Sequence, residues 1–117
     1  MNLQKLTITN IASGLETGEY SAVELTGEYL KAIQADKTNS FISSDPEFAL
    51  QAAVEADKRR AKGQASVLTG VPLAVKDVII TKDIRSTGGS KILQTYVPRQ
   101  NATVVEKLLQ ADAVIIG

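Results

Sequence analysis

The stretch Leu68-Thr69-Gly70-Val71-Pro72-Leu73-Ala74-Val75-Lys76-Asp77-Val78-Ile79-Ile80 decides the predicted fold. Gly70 and Pro72 are typical of a turn before a strand, because glycine permits unusual backbone angles and proline fixes its own. The apolar run from Leu73 to Ile80 contains too few polar residues for a strand with one face in water. Such a run indicates a strand that is covered on both faces, as in a parallel sheet packed by helices.

A charged pair, Lys76 and Asp77, lies within this apolar run. An ammonium group inside a buried strand is costly unless it is paired or loses its proton. Burial disfavours the charged form of a lysine, which is how a lysine becomes a usable general base. Two interpretations stay open on the pattern alone. Either Lys76 is a base, or its stem is buried while its amine reaches solvent and Asp77 caps the strand.

The composition restricts the chemistry of the chain. Its 117 residues suffice for one small domain, and its thirteen basic and thirteen acidic residues predict no bulk attraction to nucleic acid or to anionic membranes. The absence of cysteine and histidine excludes disulfides, thiolate nucleophiles, Ser-His-Asp triads and histidine metal sites. No apolar stretch approaches membrane-spanning length, and the N-terminus lacks the order of a secretion signal. A cytoplasmic protein without membrane contact is expected.

Helical spacing of apolar residues predicts three helices before the central stretch, at residues 7–15, 21–35 and 46–62. Each has a capping residue at its start: Thr7, Ser21 and Asp45. Ser21 and Glu24 have the spacing of a capping box, in which a hydroxyl and a carboxylate each satisfy a free backbone amide.

Beyond the central stretch, the pattern predicts a glycine-rich loop, a helix and a final strand. Successive glycines and hydroxyls in 86–90 can turn backbone amides inward to hold an anion, although a simple flexible turn is the alternative. Thr103 and Glu106 repeat the capping-box spacing, with Asn101 as a rival cap, and residues 113–116 indicate a buried strand. Strand, loop, helix and strand predict an α/β fold with helices packed on a mixed, largely parallel sheet.

Two segments carry a resemblance to a known family: Gly70-Val71-Pro72-Leu73-Ala74-Val75-Lys76-Asp77 and Thr81-Lys82-Asp83-Ile84-Arg85-Ser86-Thr87-Gly88-Gly89-Ser90-Lys91-Ile92-Leu93. Together they resemble the start of the amidase signature family. The resemblance implies that Lys76 is the catalytic base of a Ser–cis-Ser–Lys triad, whose two serines belong to a Gly/Ser-rich region further along. Asp83 and Asp112 stand where the family usually has glycine, and Val78 where asparagine is common.

Residues 90–93 and 101–108 are more similar to the tRNA-dependent amidotransferase branch of the family than to general amidases. This implies a glutaminase subunit of a ligase complex in protein biosynthesis, with glutamine as substrate and with other amidotransferase subunits and Glu-tRNA(Gln) as partners. ATP and magnesium are implied for a partner subunit, and no cofactor or metal for this chain. The basic end of the third helix is then either a solvated face or a contact for tRNA phosphates; its residues are Lys58, Arg59, Arg60 and Lys62.

The predicted domain organisation is a single N-terminal fragment, 1–117, of a larger amidase domain. Residues 1–65 form a mainly helical lead-in, and 66–117 start the catalytic α/β core. Without the serines the fragment is expected to be inactive, and its uncovered apolar faces favour self-association. The alternatives are a fragment of a general small-amide hydrolase of the same family, or a non-enzymatic interaction domain.

Overall fold

The computed structural model describes residues 2–117 and confirms the α/β architecture. A short 3-10 helix at Leu3–Lys5 precedes the main elements. These are α1 (Ile8–Thr17), α2 (Ala22–Ala35), α3 (Pro46–Ala61), β1 (Pro72–Leu73), α4 (Thr103–Gln110) and β2 (Val114–Ile115). Within the described residues, no helix is long and apolar enough to span a bilayer.

The first three helices begin where their capping residues predict. Ser21 forms the expected capping box, since its hydroxyl accepts from the Glu24 amide at 3.0 Å and Glu24 accepts from the Ser21 amide at 2.8 Å. The Asp45 carboxylate accepts from the Phe48 amide at 3.0 Å, directly before Pro46 in the first turn of α3. Local sequence therefore fixes these helix starts.

The last helix begins differently. Ala102 is its N-cap and provides no side-chain cap, while Thr103 is the first helical residue, so the predicted Thr103–Glu106 capping box is wrong. The alternative prediction, that Asn101 caps this helix, is wrong as well, because the side-chain oxygen of Asn101 accepts from the Lys82 amide at 2.7 Å. A long-range contact therefore uses the group that the local pattern assigned to the helix.

Helices α2 and α3 pack closely on each other beside the sheet. The contact face of α3 consists of the small residues Ala49, Ala53 and Ala56, which are almost completely buried. A carboxylate on the same helix, Asp57, accepts from the first two amides of α2, at 2.7 and 3.1 Å. One helix thus caps the other, at the end where the helix dipole favours a negative charge.

The two strands form the predicted parallel crossover. Pro72 pairs with Val114 and Leu73 with Ile115. Backbone hydrogen bonds extend the pairing on both sides, from the Gly70 amide to the Asp112 carbonyl and from the Val75 amide to the Gly117 carbonyl, each at 2.8 Å. The sheet therefore places Lys76 directly after its last hydrogen-bonded residue.

The prediction of a buried strand that continues to Ile80 is wrong. The Ile79 amide donates to the Lys76 carbonyl at 2.8 Å, so the chain turns immediately after Val75. Val78 is 63% exposed. The apolar run therefore consists of two pieces, a strand end and a loop, on either side of a turn at Lys76 and Asp77.

The two aspartates at family glycine positions adopt left-handed backbone conformations, with φ of 62° at Asp83 and 59° at Asp112. Glycine adopts this region without cost, whereas other residues do so rarely and aspartate more readily than most. At Asp112 the carboxylate also pairs with Arg59 at 3.2 Å. The side chain therefore provides a contact that glycine lacks.

Candidate active site

A cavity of about 580 Å³ lies at the end of β1. It is lined by residues of the segment 40–43, the turn 74–79 and the loop 81–89, together with Ile115 and Gly117. Lys76, the one catalytic residue expected from the sequence, lines this cavity. Two smaller cavities, of about 390 Å³ each, do not include Lys76.

The backbone around Lys76 is held on both sides. The Val75 amide is bonded to Gly117, and the Lys76 carbonyl accepts from Ile79. The side chain itself is exposed and forms no ion pair with any of residues 2–117, Asp77 included. The expectation that Lys76 lies among buried aliphatic side chains is therefore wrong for this part of the protein. Its position at the cavity is fixed, but its surroundings are open.

The loop 86–90 does turn donors inward around an anion, and that anion is the Asp77 carboxylate. Its Oδ2 atom accepts from the Thr87 amide at 3.0 Å, the Thr87 hydroxyl at 2.5 Å and the Gly89 amide at 3.2 Å. The Asp77 carbonyl accepts from the Gly88 amide at 3.2 Å. We call this arrangement the Asp77 clamp, made of Asp77 and 87–89. The sequence left open whether this loop holds an anion or is a simple flexible turn, and it did not identify Asp77 as the anion.

The clamp sets the charge state of Asp77. Desolvation by burial raises the pKa of this carboxyl, but the hydrogen bonds from Thr87 and from the neighbouring amides outweigh it and hold the pKa below its usual value. Asp77 is therefore ionised at neutral pH. Its interpretation as a strand cap is replaced by that of a loop anchor.

The hydroxyl of Ser86 has a structural role. Ser86 is buried, accepts from the Thr81 amide at 3.3 Å and donates to the Ile84 carbonyl at 3.2 Å. That the nucleophile lies outside this loop stays a prediction.

Arg85 joins two walls of the cavity that are far apart in sequence. Its guanidinium donates to the Ile42 carbonyl at 2.9 Å, and the Ser43 hydroxyl donates to the Arg85 carbonyl at 3.4 Å. Sequence reasoning missed this link, because no periodicity or motif relates residues that are more than forty positions apart. The segment 40–43 is thereby held at the cavity.

Most of the basic cluster at the end of α3 is bound within the protein. Arg60 donates twice to the Thr69 carbonyl, at 3.0 and 2.6 Å, directly before Gly70. Arg59 pairs with Asp112, and Lys58 pairs with Glu55 at 2.7 Å. Arg60 therefore holds the turn before β1, and Arg59 contacts the turn before β2. Contact of the cluster with tRNA stays a prediction.

Within residues 2–117, no group of three or more carboxylates is arranged to hold a metal ion. The side chains at the cavity accordingly offer an amine, a guanidinium, hydroxyls and one clamped carboxylate. Of these groups, an amine can act as a general base when it is neutral.

Comparisons with known proteins agree with the geometry. A family model described as Amidase matches residues 24–117. The chain is 46% identical to the A subunit of glutamyl-tRNA(Gln) amidotransferase from Geobacter metallireducens and 47% identical to that from Cupriavidus metallidurans. These matches cover 100% and 95% of the chain but only 24% and 22% of the relatives, so the chain spans about a quarter of their length.

Solved structures give the same result. The peptide amidase PAM, in complex with the competitive inhibitor chymostatin, superposes with a TM-score of 0.90 at 29% identity, over 100% of this chain and 25% of that one. The resemblance inferred from the segments around Lys76 is thereby confirmed. The chain belongs to the amidase family.

Proposed function

We propose that this chain is the N-terminal part of the glutaminase subunit of a glutamyl-tRNA(Gln) amidotransferase. One observation carries the proposal, namely the identity to the A subunits of such enzymes over nearly the whole chain. In this proposal 1–65 are the helical lead-in and 66–117 the start of the catalytic core. The complex would act in the cytoplasm, where aminoacyl-tRNA is used.

The proposed reaction is acyl transfer from glutamine. A serine supplied from outside residues 2–117 attacks the amide carbon, the C–N bond breaks, and water later releases glutamate from the acyl-enzyme. Lys76, in its neutral form, takes the serine proton through a second serine and returns it to the departing ammonia. A partner subunit then uses that ammonia to amidate Glu-tRNA(Gln), which it activates with ATP and magnesium.

The described residues supply the position of the base. The backbone of Lys76 is held by hydrogen bonds at Val75 and Ile79, and its side chain lines the cavity. In this proposal the nucleophilic serine comes from outside residues 2–117, and without it the covalent route is lost. Residues 2–117 alone are therefore expected to release no ammonia from glutamine.

The first test is the reading frame that follows the Gly117 codon, which we expect to continue into a Gly/Ser-rich region. The continuous protein, assembled with its partners, is then assayed for ammonia release from glutamine. Lys76→Ala should lower the rate by on the order of 10²- to 10⁴-fold, the usual contribution of a general base. The matched control is Lys82→Ala, since Lys82 is also exposed but does not line the cavity. Unchanged turnover in Lys76→Ala would contradict the proposal. Glutamine hydrolysis by the 117-residue chain, abolished by Lys76→Ala, would contradict only the expected inactivity of that chain.

The second candidate is a hydrolase of small carboxamides that needs no tRNA. It is supported by the close superposition on a peptide amidase. The same assay separates the two functions. The hydrolase would release ammonia from simple carboxamides without partner subunits, whereas the amidotransferase requires them to form Gln-tRNA(Gln).

A further inference from the structure

We propose that Asp77 is a positioning residue for the base, because the Asp77 clamp fixes the loop 86–90 and the backbone of Lys76 relative to each other. This inference rests on the proposed function, in which Lys76 accepts the proton. The proposed chemistry of the site involves the lysine and the serines, and it assigns no role to the neighbouring carboxylate.

The contacts of Asp77 connect the loop 86–90 to the backbone beside Lys76. Lys76 and Asp77 are adjacent, and Asp77 uses both its carboxylate and its carbonyl to bind the loop. A shift of the loop therefore displaces the backbone next to Lys76. The Ile79 amide also donates to the Lys76 carbonyl at 2.8 Å. On the N-terminal side, the Val75 amide donates to the Gly117 carbonyl at 2.8 Å, so the backbone of Lys76 is held from two directions.

The backbone of the loop 86–90 is shaped to bind a carboxylate. Gly88 and Gly89 have φ of 58° and 71°, in the left-handed region that lets successive amides converge. Both glycines line the cavity, whereas Thr87 is buried beneath them. The Asp77 carboxylate thus holds in place the loop that forms one wall of the cavity.

The carboxylate of Asp77 is engaged with the loop and not with the Lys76 amine. The carboxylate forms no ion pair with Lys76, and its Oδ2 atom already accepts three hydrogen bonds from the loop. Asp77 therefore acts on the geometry around Lys76. Misplacement of a catalytic group by about 1 Å lowers turnover by on the order of 10²-fold, so the loss of the clamp should be measurable.

The experiment compares Asp77→Ala, Asp77→Asn and the control Asp45→Ala in the assembled full-length enzyme. Asp45 caps α3 and does not line the cavity, so its loss affects stability without affecting the site. We expect Asp77→Ala to lower kcat for glutamine hydrolysis by about 10²-fold with little change in KM. Asp77→Asn keeps a hydrogen-bond acceptor without the charge, so its kcat should lie between those of Asp77→Ala and the wild type. Asp45→Ala should retain the wild-type kcat.

A spectroscopic measurement on the 117-residue chain accompanies the kinetics. In ¹H–¹⁵N correlation spectra, Asp77→Ala should move the amide resonances of Thr87, Gly88 and Gly89, and these amides should exchange faster with solvent. If Asp77→Ala does not fold, Thr87→Val removes one donor of the clamp without a change of charge and takes its place in both measurements.

The outcomes separate this inference from the proposed function. A clamp that opens in the spectra while kcat stays within twofold of wild type overturns the positioning role, and so does a rise in KM without a fall in kcat. Unmoved amide resonances overturn the clamp itself. If Lys76→Ala retains full activity while the amides shift as expected, the proposed base is wrong and the clamp is only structural.

Discussion

Two glycines within helices, Gly14 in α1 and Gly27 in α2, are predicted to respond in opposite directions to the same substitution. Nothing lies within 4 Å of a Cβ placed on Gly27. Gly27→Ala should therefore show only the helix propensity of alanine and stabilise the fold by about 1 kcal/mol. A Cβ on Gly14 instead overlaps the ring of Tyr20, with Cε1 2.7 Å away, where carbon atoms prefer about 3.5–4.0 Å.

The cost at Gly14 follows from what holds Tyr20. The ring is 8% exposed, and its hydroxyl donates to the Asn10 carbonyl at 3.3 Å. Displacement of the ring forfeits about 2 kcal/mol of burial and about 1 kcal/mol of hydrogen bonding. After the propensity gain of about 1 kcal/mol, Gly14→Ala should destabilise the fold by about 2 kcal/mol, so the two variants should differ by about 3 kcal/mol.

Urea denaturation followed by circular dichroism measures this difference. At a slope of about 1.5 kcal/mol/M, the two midpoints should lie about 2 M apart. A double-mutant cycle provides the control. In a Tyr20→Ala background the clash is absent, so Gly14→Ala should stabilise the fold by about 1 kcal/mol, as Gly27→Ala does in the wild type. Equal stabilisation by Gly14→Ala and Gly27→Ala in the wild-type background would refute the packing of Tyr20 on α1.

Two further predictions concern carboxylates. Asp57→Ala should destabilise the fold by about 2 kcal/mol, because it leaves the amides of Ala22 and Val23 without their acceptor. Urea denaturation measures this loss, and an unchanged midpoint would contradict the capping of α2 by Asp57. Asp77 should contribute to acid sensitivity, since its folded pKa is lowered: its stabilisation is present above the unfolded value of about 4 and is lost as pH falls through the folded value. The free energy of unfolding, measured from about pH 6 downwards, should therefore fall less steeply with decreasing pH in Asp77→Asn than in the wild type. Identical profiles would contradict the Asp77 clamp.

The parts of the fold that depend on neighbours in sequence were predictable. The caps at Ser21 and Asp45 involve residues three positions apart, so the pattern contains all the partners. The parallel pairing of β1 and β2 was predictable for another reason, since a strand, helix and strand in this order have few arrangements.

The start of α4 and the extent of β1 were not predictable, because distant groups decide them. Asn101 is used by the Lys82 amide, nineteen positions away, and is therefore not available as a cap. The strand is limited by the turn from Lys76 to Ile79, where an apolar pattern continues although the backbone direction does not. Hydrophobic periodicity reports burial along a segment and does not show where a buried segment bends.

The loop 86–90 shows why a motif can predict a chemical group without predicting its source. Inward-turned amides favour any anion, and the sequence left open whether this loop holds an anion or is a simple flexible turn. An internal carboxylate has the advantage, because its tether keeps it at a high effective concentration, of the order of millimolar or more. Asp77 lies ten residues from Thr87 and follows the strand that the sheet holds in place. The loop amides therefore bind this carboxylate in preference to a dissolved anion. The Asp77 clamp therefore assigns this loop to the architecture of the cavity.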